Sequence, residues 1–447
     1  MKSTKKLWSD SKTWRILLIL AIIYGLVRLA AHSVFLGYVL ESDETGWHDL
    51  QVYEDAAQRL IKGENLYPQA TPDWIEFYQY SPLYALVFVP FLWLPDLATM
   101  GVFTLLHLGA YAVLYWRWQL IFRQLQLDRA RQMLIYFLPL WIVFAQFWAD
   151  LSYLNIYIFM ALLSTLLIES ILKDNLELSV LWLSIILQAK PQWAFPTLLP
   201  LILGRYRFFL RLIMYTILAY ASAALITIAI LGWTYGPAQY ADYVRLLLRI
   251  QSGGYPWRTP EASFLGYNHS IKQIMVYLFG ASRTVLFSAT VLKIMVLLPL
   301  AGLILQCTIR PIRLLAANPE ECREFLDFAF ALYLGAFIWL DVVWELTLGI
   351  IVFIYLMATL KRMWTKSLSL VAFLPYAFRD VWQLLSVAVF SMDQVLVDAY
   401  VLTDPSIYVP ITMLIILTFY TLMVRRIWTT QKLRTSSIPA ISGARQG

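Results

Sequence analysis

Apolar runs long enough to cross a lipid bilayer recur along this chain, Trp14 to Leu36 and Leu212 to Trp233 among them. The hydrocarbon core is about 30 Å thick and a helix rises about 1.5 Å per residue, so about 20 apolar residues suffice. Hydrophobic residues make up 60% of the 447 and charged residues only 14%. A soluble domain sits near 45–50% and about 25%. The runs leave no stretch over for a separate soluble domain. The expectation is an all-α polytopic membrane protein, its many Trp and Tyr residues suited to the two membrane–water boundaries.

Candidate spans fall at 14–36, 97–118, 132–149, 154–172, 178–190, 191–204, 212–232, 284–308, 325–340, 342–360, 367–388 and 409–424. Lys2, Lys5, Lys6, Lys12 and Arg15 before the first run resemble a signal peptide, but the run is too long and no small-residue cleavage site follows. It reads as an uncleaved first span. The stretch 81–95, with Pro82, Pro90 and Pro95, is short for a span. If it crossed, the loop with Arg117, Arg123, Arg129 and Arg131 would lie outside, with later basic loops. If it lies in or dips into the outer surface, Arg117 to Arg131, Arg205 to Arg211, Arg310 and Arg313, Lys361 to Lys366 and Arg425 to Lys432 all face the cytosol. The expected domain is therefore residues 1–424 with twelve spans and both termini cytosolic. Its exoplasmic loops are 37–96, 233–283 and 389–408, and a basic tail covers 425–447.

The net charge of +7 is accounted for by these short loops and the anionic headgroups they meet, without nucleic acid. Cys307 and Cys322 fall on the cytosolic side, where thiols stay reduced. No repeat, no Walker loop and no dinucleotide fingerprint is present. Neither His spacing nor the acids suggest a metal or other cofactor.

Long loops are usually functional or disordered, and these are aromatic enough to pack. In the first, Trp47-His48-Asp49 precedes Tyr53 to Gly63, an amphipathic helix closed by a glycine. Asp49 sits at the bilayer surface, where partial desolvation raises a carboxylate toward a useful range for a general base. Capping the helix, or pairing with a surface lysine, accounts for it equally. Lys190-Pro191 stands between two short apolar runs, placed either to hold a phosphate as a point charge or to snorkel to the interface. In the second loop, Tyr255-Pro256-Trp257-Arg258 and Tyr267-Asn268-His269-Ser270-Ile271-Lys272 mix groups that bind sugar and phosphate, and equally read as an aromatic belt. Asp150 lies at an outer span end. Lys293, Arg28, Arg379 and Asp380 are charges at membrane depth, Arg379 and Asp380 the more readily structural.

Asp49-x-x-Val52-Tyr53-x-x-Ala56, then Gly63-x-x-Leu66-Tyr67, then Tyr80-x-Pro82-Leu83 resembles glycosyltransferase family 87. Ala189-Lys190-Pro191 and Asn268-x-Ser270 continue the likeness in order along most of the chain. The family is of the GT-C type and includes mannosyltransferases that use polyprenyl-phosphate-mannose. Two family patterns are altered. The Gly-Gln-x-Asn motif keeps only Asn155, and the region of a Trp and a His pair reads Trp339-Leu340-Asp341-Val342-Val343-Trp344-Glu345.

The resemblance implies a GT-C-like fold in a bacterial plasma membrane. It also implies an inverting transfer of a hexose, mannose in the family, from a polyprenyl-phosphate donor to a lipid-linked or envelope acceptor. Asp49 would be the base. Lys190, Arg258, Asn268, His269 and Lys272 would bind the donor, and Tyr53, Tyr80, Asp150, Asp341 and Glu345 would face the same cavity. A transporter or lipid flippase, or a scaffold without chemistry, shares the many spans. Long aromatic exoplasmic loops and the lack of repeated halves favour the enzyme.

Overall fold

A computed structural model describes residues 11–41, 49–68, 78–251, 268–314, 319–343, 346–390 and 405–436. Among them every regular element is a helix. Five helices are long and apolar enough to cross a membrane: Lys12–Val34, Asp96–Gln124, Tyr206–Leu231, Arg283–Ile309 and Val409–Lys432. A sixth span arises if Asp128–Tyr136 and Leu138–Tyr153, bent by 58°, count as one. The bend has a local cause, since Pro139 opens the second piece and cannot carry the first helix's hydrogen bonds onward.

Of the other expected spans, 325–340 falls on the 21-residue helix Pro319–Trp339 and several fall on shorter pieces such as Tyr157–Leu172, Leu176–Ala189 and Gly349–Thr359. Burial separates the two kinds. On Tyr206–Leu231 only Leu212, Thr216 and Thr227 are buried, while Ile217, Leu218, Leu225, Ile226 and Ile230 face outward, as lipid contact requires. Gly349–Thr359 is apolar on every side and almost wholly buried, the pattern of a helix enclosed by protein. A span count from hydropathy alone does not distinguish the two.

The stretch 81–95 is a short α-helix, Pro82–Phe88, followed by a 3-10 turn, Val89–Trp93. Together they extend roughly 20 Å, less than the hydrocarbon thickness. Ser81 caps this helix, accepting from the Tyr84 N–H, and Pro82 takes the first turn, where a missing N–H costs nothing.

The first-loop helix begins at Asp49, four residues before the sequence pattern places it, and runs to Lys62. Leu50, Tyr53, Ala56, Ala57 and Leu60 form its buried stripe. Gly63, at φ 72°, ends it, and Glu64 N–H closes back on Arg59 O at 2.9 Å. This loop is tied to the second one. Leu66 N–H donates to Gln239 Oε1 at 3.0 Å, and Tyr235 Oη donates to Glu64 O at 2.5 Å.

Two of the charges that the sequence places at membrane depth, Arg28 and Asp380, pair with each other. Arg28 holds Asp380 at 2.7 and 3.0 Å, joined by the Tyr24 hydroxyl, and reaches Ser152 at 3.3 Å. Cys307 and Cys322 are buried and not joined in a disulfide, and Gln431 donates to Cys307 Sγ at 2.7 Å. The last helix, Pro405–Ser436, extends well past 424 into the expected tail. The acidic positions Asp393, Asp398 and Asp404 lie outside the described residues.

Candidate active site

Four segments far apart in sequence supply one polar cluster. Asp49 stands in the first turn of its helix, partly buried. One turn on, Tyr53 points the same way, as an i, i+4 pair must. Its hydroxyl meets the Tyr80 hydroxyl at 3.1 Å and donates to Asn155 Oδ1 at 3.3 Å. Tyr80 stacks on Tyr84 with ring centroids 4.6 Å apart, and Tyr67 donates to Tyr80 O at 2.8 Å. Burial, ahead of neighbouring charges, raises the Tyr53 and Tyr80 phenols well above their ordinary range, so they stay protonated donors.

Lys190 sits at the break between Leu176–Ala189 and the 3-10 turn Pro191–Leu198. Pro191 forbids its predecessor the helical conformation, and Lys190 adopts φ −132°, ψ 89°. That break turns the side chain over two aromatic faces. Its ammonium lies 4.2 Å from the Tyr157 ring centroid and 5.2 Å from that of Tyr80.

Asp150 lies beneath. Its carboxylate accepts the Tyr157 and Ile158 N–H groups at 3.1 and 2.8 Å, at the start of Tyr157–Leu172, where a helix favours an anion. Asp49, Lys190 and Asp150 are near enough to act on one another's charge. Burial raises the Asp49 carboxyl from 3.8 to about 7, Lys190 opposing the rise and Asp150 adding to it.

Of the sequence-derived candidates, Asp49, Lys190, Tyr53, Tyr80 and Asp150 thus come together. Asn268, His269, Lys272 and Asp341 gather in a second cluster. Asp341 accepts from Lys272 at 2.5 Å and from Lys293, which also donates to Trp339 O and Leu340 O at 2.9 and 2.8 Å. Asn268 donates to Asp341 O and accepts from Val343 N–H, while His269 N–H donates to Val343 O. These contacts clamp residues 268–270 onto 341–343. Asp341 thus engages Lys272, which the sequence offered to a phosphate, together with Lys293. Arg258 and Glu345 lie outside the described residues.

Sequence reasoning passed over His107, Tyr157 and Tyr84. His107 carried one signal, an ionisable ring within an apolar run. Tyr157 and Tyr84 carried none, because an aromatic residue at a span end is ordinary. No family model, no curated protein and no solved structure matches the chain.

Proposed function

We propose that this protein is a membrane glycosyltransferase of the GT-C kind. It takes a hexose from a polyprenyl-phosphate carrier and transfers it to a lipid-linked or envelope alcohol. In this reading both termini are cytosolic, the chain crosses the membrane twelve times with several crossings made of paired short helices, and Asp49 faces the exoplasmic side. The observation that carries it is the polar cluster around the first turn of the Asp49 helix, where the Tyr53 and Tyr80 hydroxyls meet and the Lys190 ammonium lies over the Tyr80 and Tyr157 rings.

A sugar hydroxyl is a weak nucleophile and needs a base within hydrogen-bond reach. Asp49 accepts its proton as the new bond to the anomeric carbon forms. The bond to the carrier oxygen breaks, and the carrier leaves as polyprenyl phosphate with the electron pair. Lys190, held by two tyrosine rings, meets that growing negative charge. Tyr53 and Tyr80 offer hydroxyls to the sugar.

The bent pair Asp128–Tyr136 and Leu138–Tyr153 gives the transporter reading its own support, since broken helices mark many transport sites. One assay separates the two. Purified protein in proteoliposomes is given labelled polyprenyl-phosphate hexoses and a lipid acceptor extract. Label on the acceptor supports transfer. Wild-type protein that labels nothing with any carrier hexose, or only moves the carrier across the bilayer, overturns it.

The raised carboxyl sets a pH profile. A base must be ionised, so kcat/KM rises about tenfold per pH unit below about 7 and levels above it. Stability runs the other way. The folded state prefers protonated Asp49, so its contribution is complete below 3.8 and is lost as pH rises through about 7. A profile flat from pH 5 to pH 8 would exclude Asp49 as the titrating base.

Lys190→Met keeps the bulk and the ring contacts but removes the charge. The donor KM is expected to rise about tenfold, the scale of one charge-assisted hydrogen bond, with the acceptor KM unchanged. Equal shifts in both would mean that Lys190 does not distinguish the carrier phosphate.

A further inference from the structure

Both ring nitrogens of His107 face carbonyl oxygens. Nδ1 lies 2.7 Å from Phe103 O and Nε2 lies 2.5 Å from Asn155 O. A carbonyl oxygen only accepts, so each contact needs an N–H from the ring, and the neutral ring carries one. Nε2 is also 3.7 Å from Asp150 Oδ2, and both side chains are fully buried. The edge of Phe159 closes another side, with ring centroids 4.7 Å apart. On the neighbouring Lys12–Glu41 helix, His32 bonds Thr104 at 3.1 Å and Arg28 is engaged by Asp380.

We propose that His107 is held as an imidazolium with Asp150 as its counter-ion, and that this pair positions the turn 154–158 for the candidate active site. The turn's own backbone bonds are local, Leu154 N–H to Leu151 O at 3.1 Å and Asn155 N–H to Asp150 O at 3.0 Å. Leu154 takes the left-handed conformation at φ 49°, which a leucine adopts at a cost. His107 holds the Asn155 carbonyl from one side. Asp150 holds the Tyr157 and Ile158 N–H groups from the other. Fixed in this way, Asn155 presents its side-chain oxygen to the Tyr53 hydroxyl, and Tyr157 lays its ring against Lys190. His107 touches neither substrate nor the reacting atoms and acts through Asn155 and Asp150. The positioning role rests on the sugar-transfer reading of that site; the charge state of the ring does not.

The test uses full-length protein labelled with 15N-histidine in lipid. The chain has four histidines, and His107→Gln assigns the signal. Near neutral pH both His107 nitrogens are expected to carry protons, and in Asp150→Asn the ring is expected to revert to the neutral form. Transfer is expected to fall in His107→Gln and in Asp150→Asn, and to recover about tenfold over either when both are combined, because the double variant buries a neutral amide pair. A neutral wild-type ring, or one that stays charged in Asp150→Asn, overturns the ion pair. A double variant no better than the worse single overturns the positioning role. The nitrogen signals need no substrate, so they decide the charge state even if wild-type protein transfers no sugar.

Discussion

Asp49→Asn is expected to slow sugar transfer by about 100-fold or more, the contribution of a positioned general base, with donor KM nearly unchanged. Loss of fold would not explain that result. The folded protein already favours the neutral form of this side chain, and asparagine is its neutral isostere. The thermal midpoint should hold or rise at pH 8, where the wild-type carboxyl is ionised. Rate and stability moving in opposite directions separate a catalytic carboxyl from the helix-start role that Asp49 also fills. A variant with wild-type turnover would remove Asp49 from the chemistry.

Asp341→Ala is expected to be the most destabilising single substitution in the second cluster, by about 3 kcal/mol or more. It removes one carboxylate that pairs with Lys272 and Lys293 together, both of which are buried. Trp339 O and Leu340 O still receive Lys293, but carbonyl dipoles do not cancel its charge. Unfolding can be followed by the reaction of a thiol dye with Cys307 and Cys322, which are buried in the native state. Adding Lys272→Met should recover part of the loss, since it removes one of the two ammonium groups that Asp341 meets. An unchanged midpoint in Asp341→Ala would show that these ammonium groups are solvated, and would return Lys272 to consideration as a phosphate ligand.

The two substitutions mark where the sequence was legible. The amphipathic stripe from Tyr53 onward was readable from helical spacing, but the sequence pattern left Asp49 outside the helix, and its place one turn before Tyr53 came from the structure. Lys190 owes the break in its helix to Pro191, a purely local effect. Pairing across the chain is another matter. Lys272 and Asp341 are 69 residues apart, and both looked like site groups until the structure set one against the other. The order of Asp150, Asn155 and Tyr157 is local, but His107 reaches them from 48 residues away through a ring-to-carbonyl contact with no composition signature. Span counting met a similar limit. Tyr206–Leu231 and Gly349–Thr359 are both strongly apolar, yet one is turned outward and the other is enclosed by protein.

The most direct test of the account is a cryo-EM map of the protein in lipid with a non-transferable polyprenyl-phosphate-hexose analogue. The phosphate is expected against the Lys190 ammonium and the sugar between Asp49 and Tyr80, at the outer boundary of the bilayer. Headgroup density at the inner leaflet, or beside Lys272 and Lys293 with the Asp49 surroundings unoccupied, would contradict it.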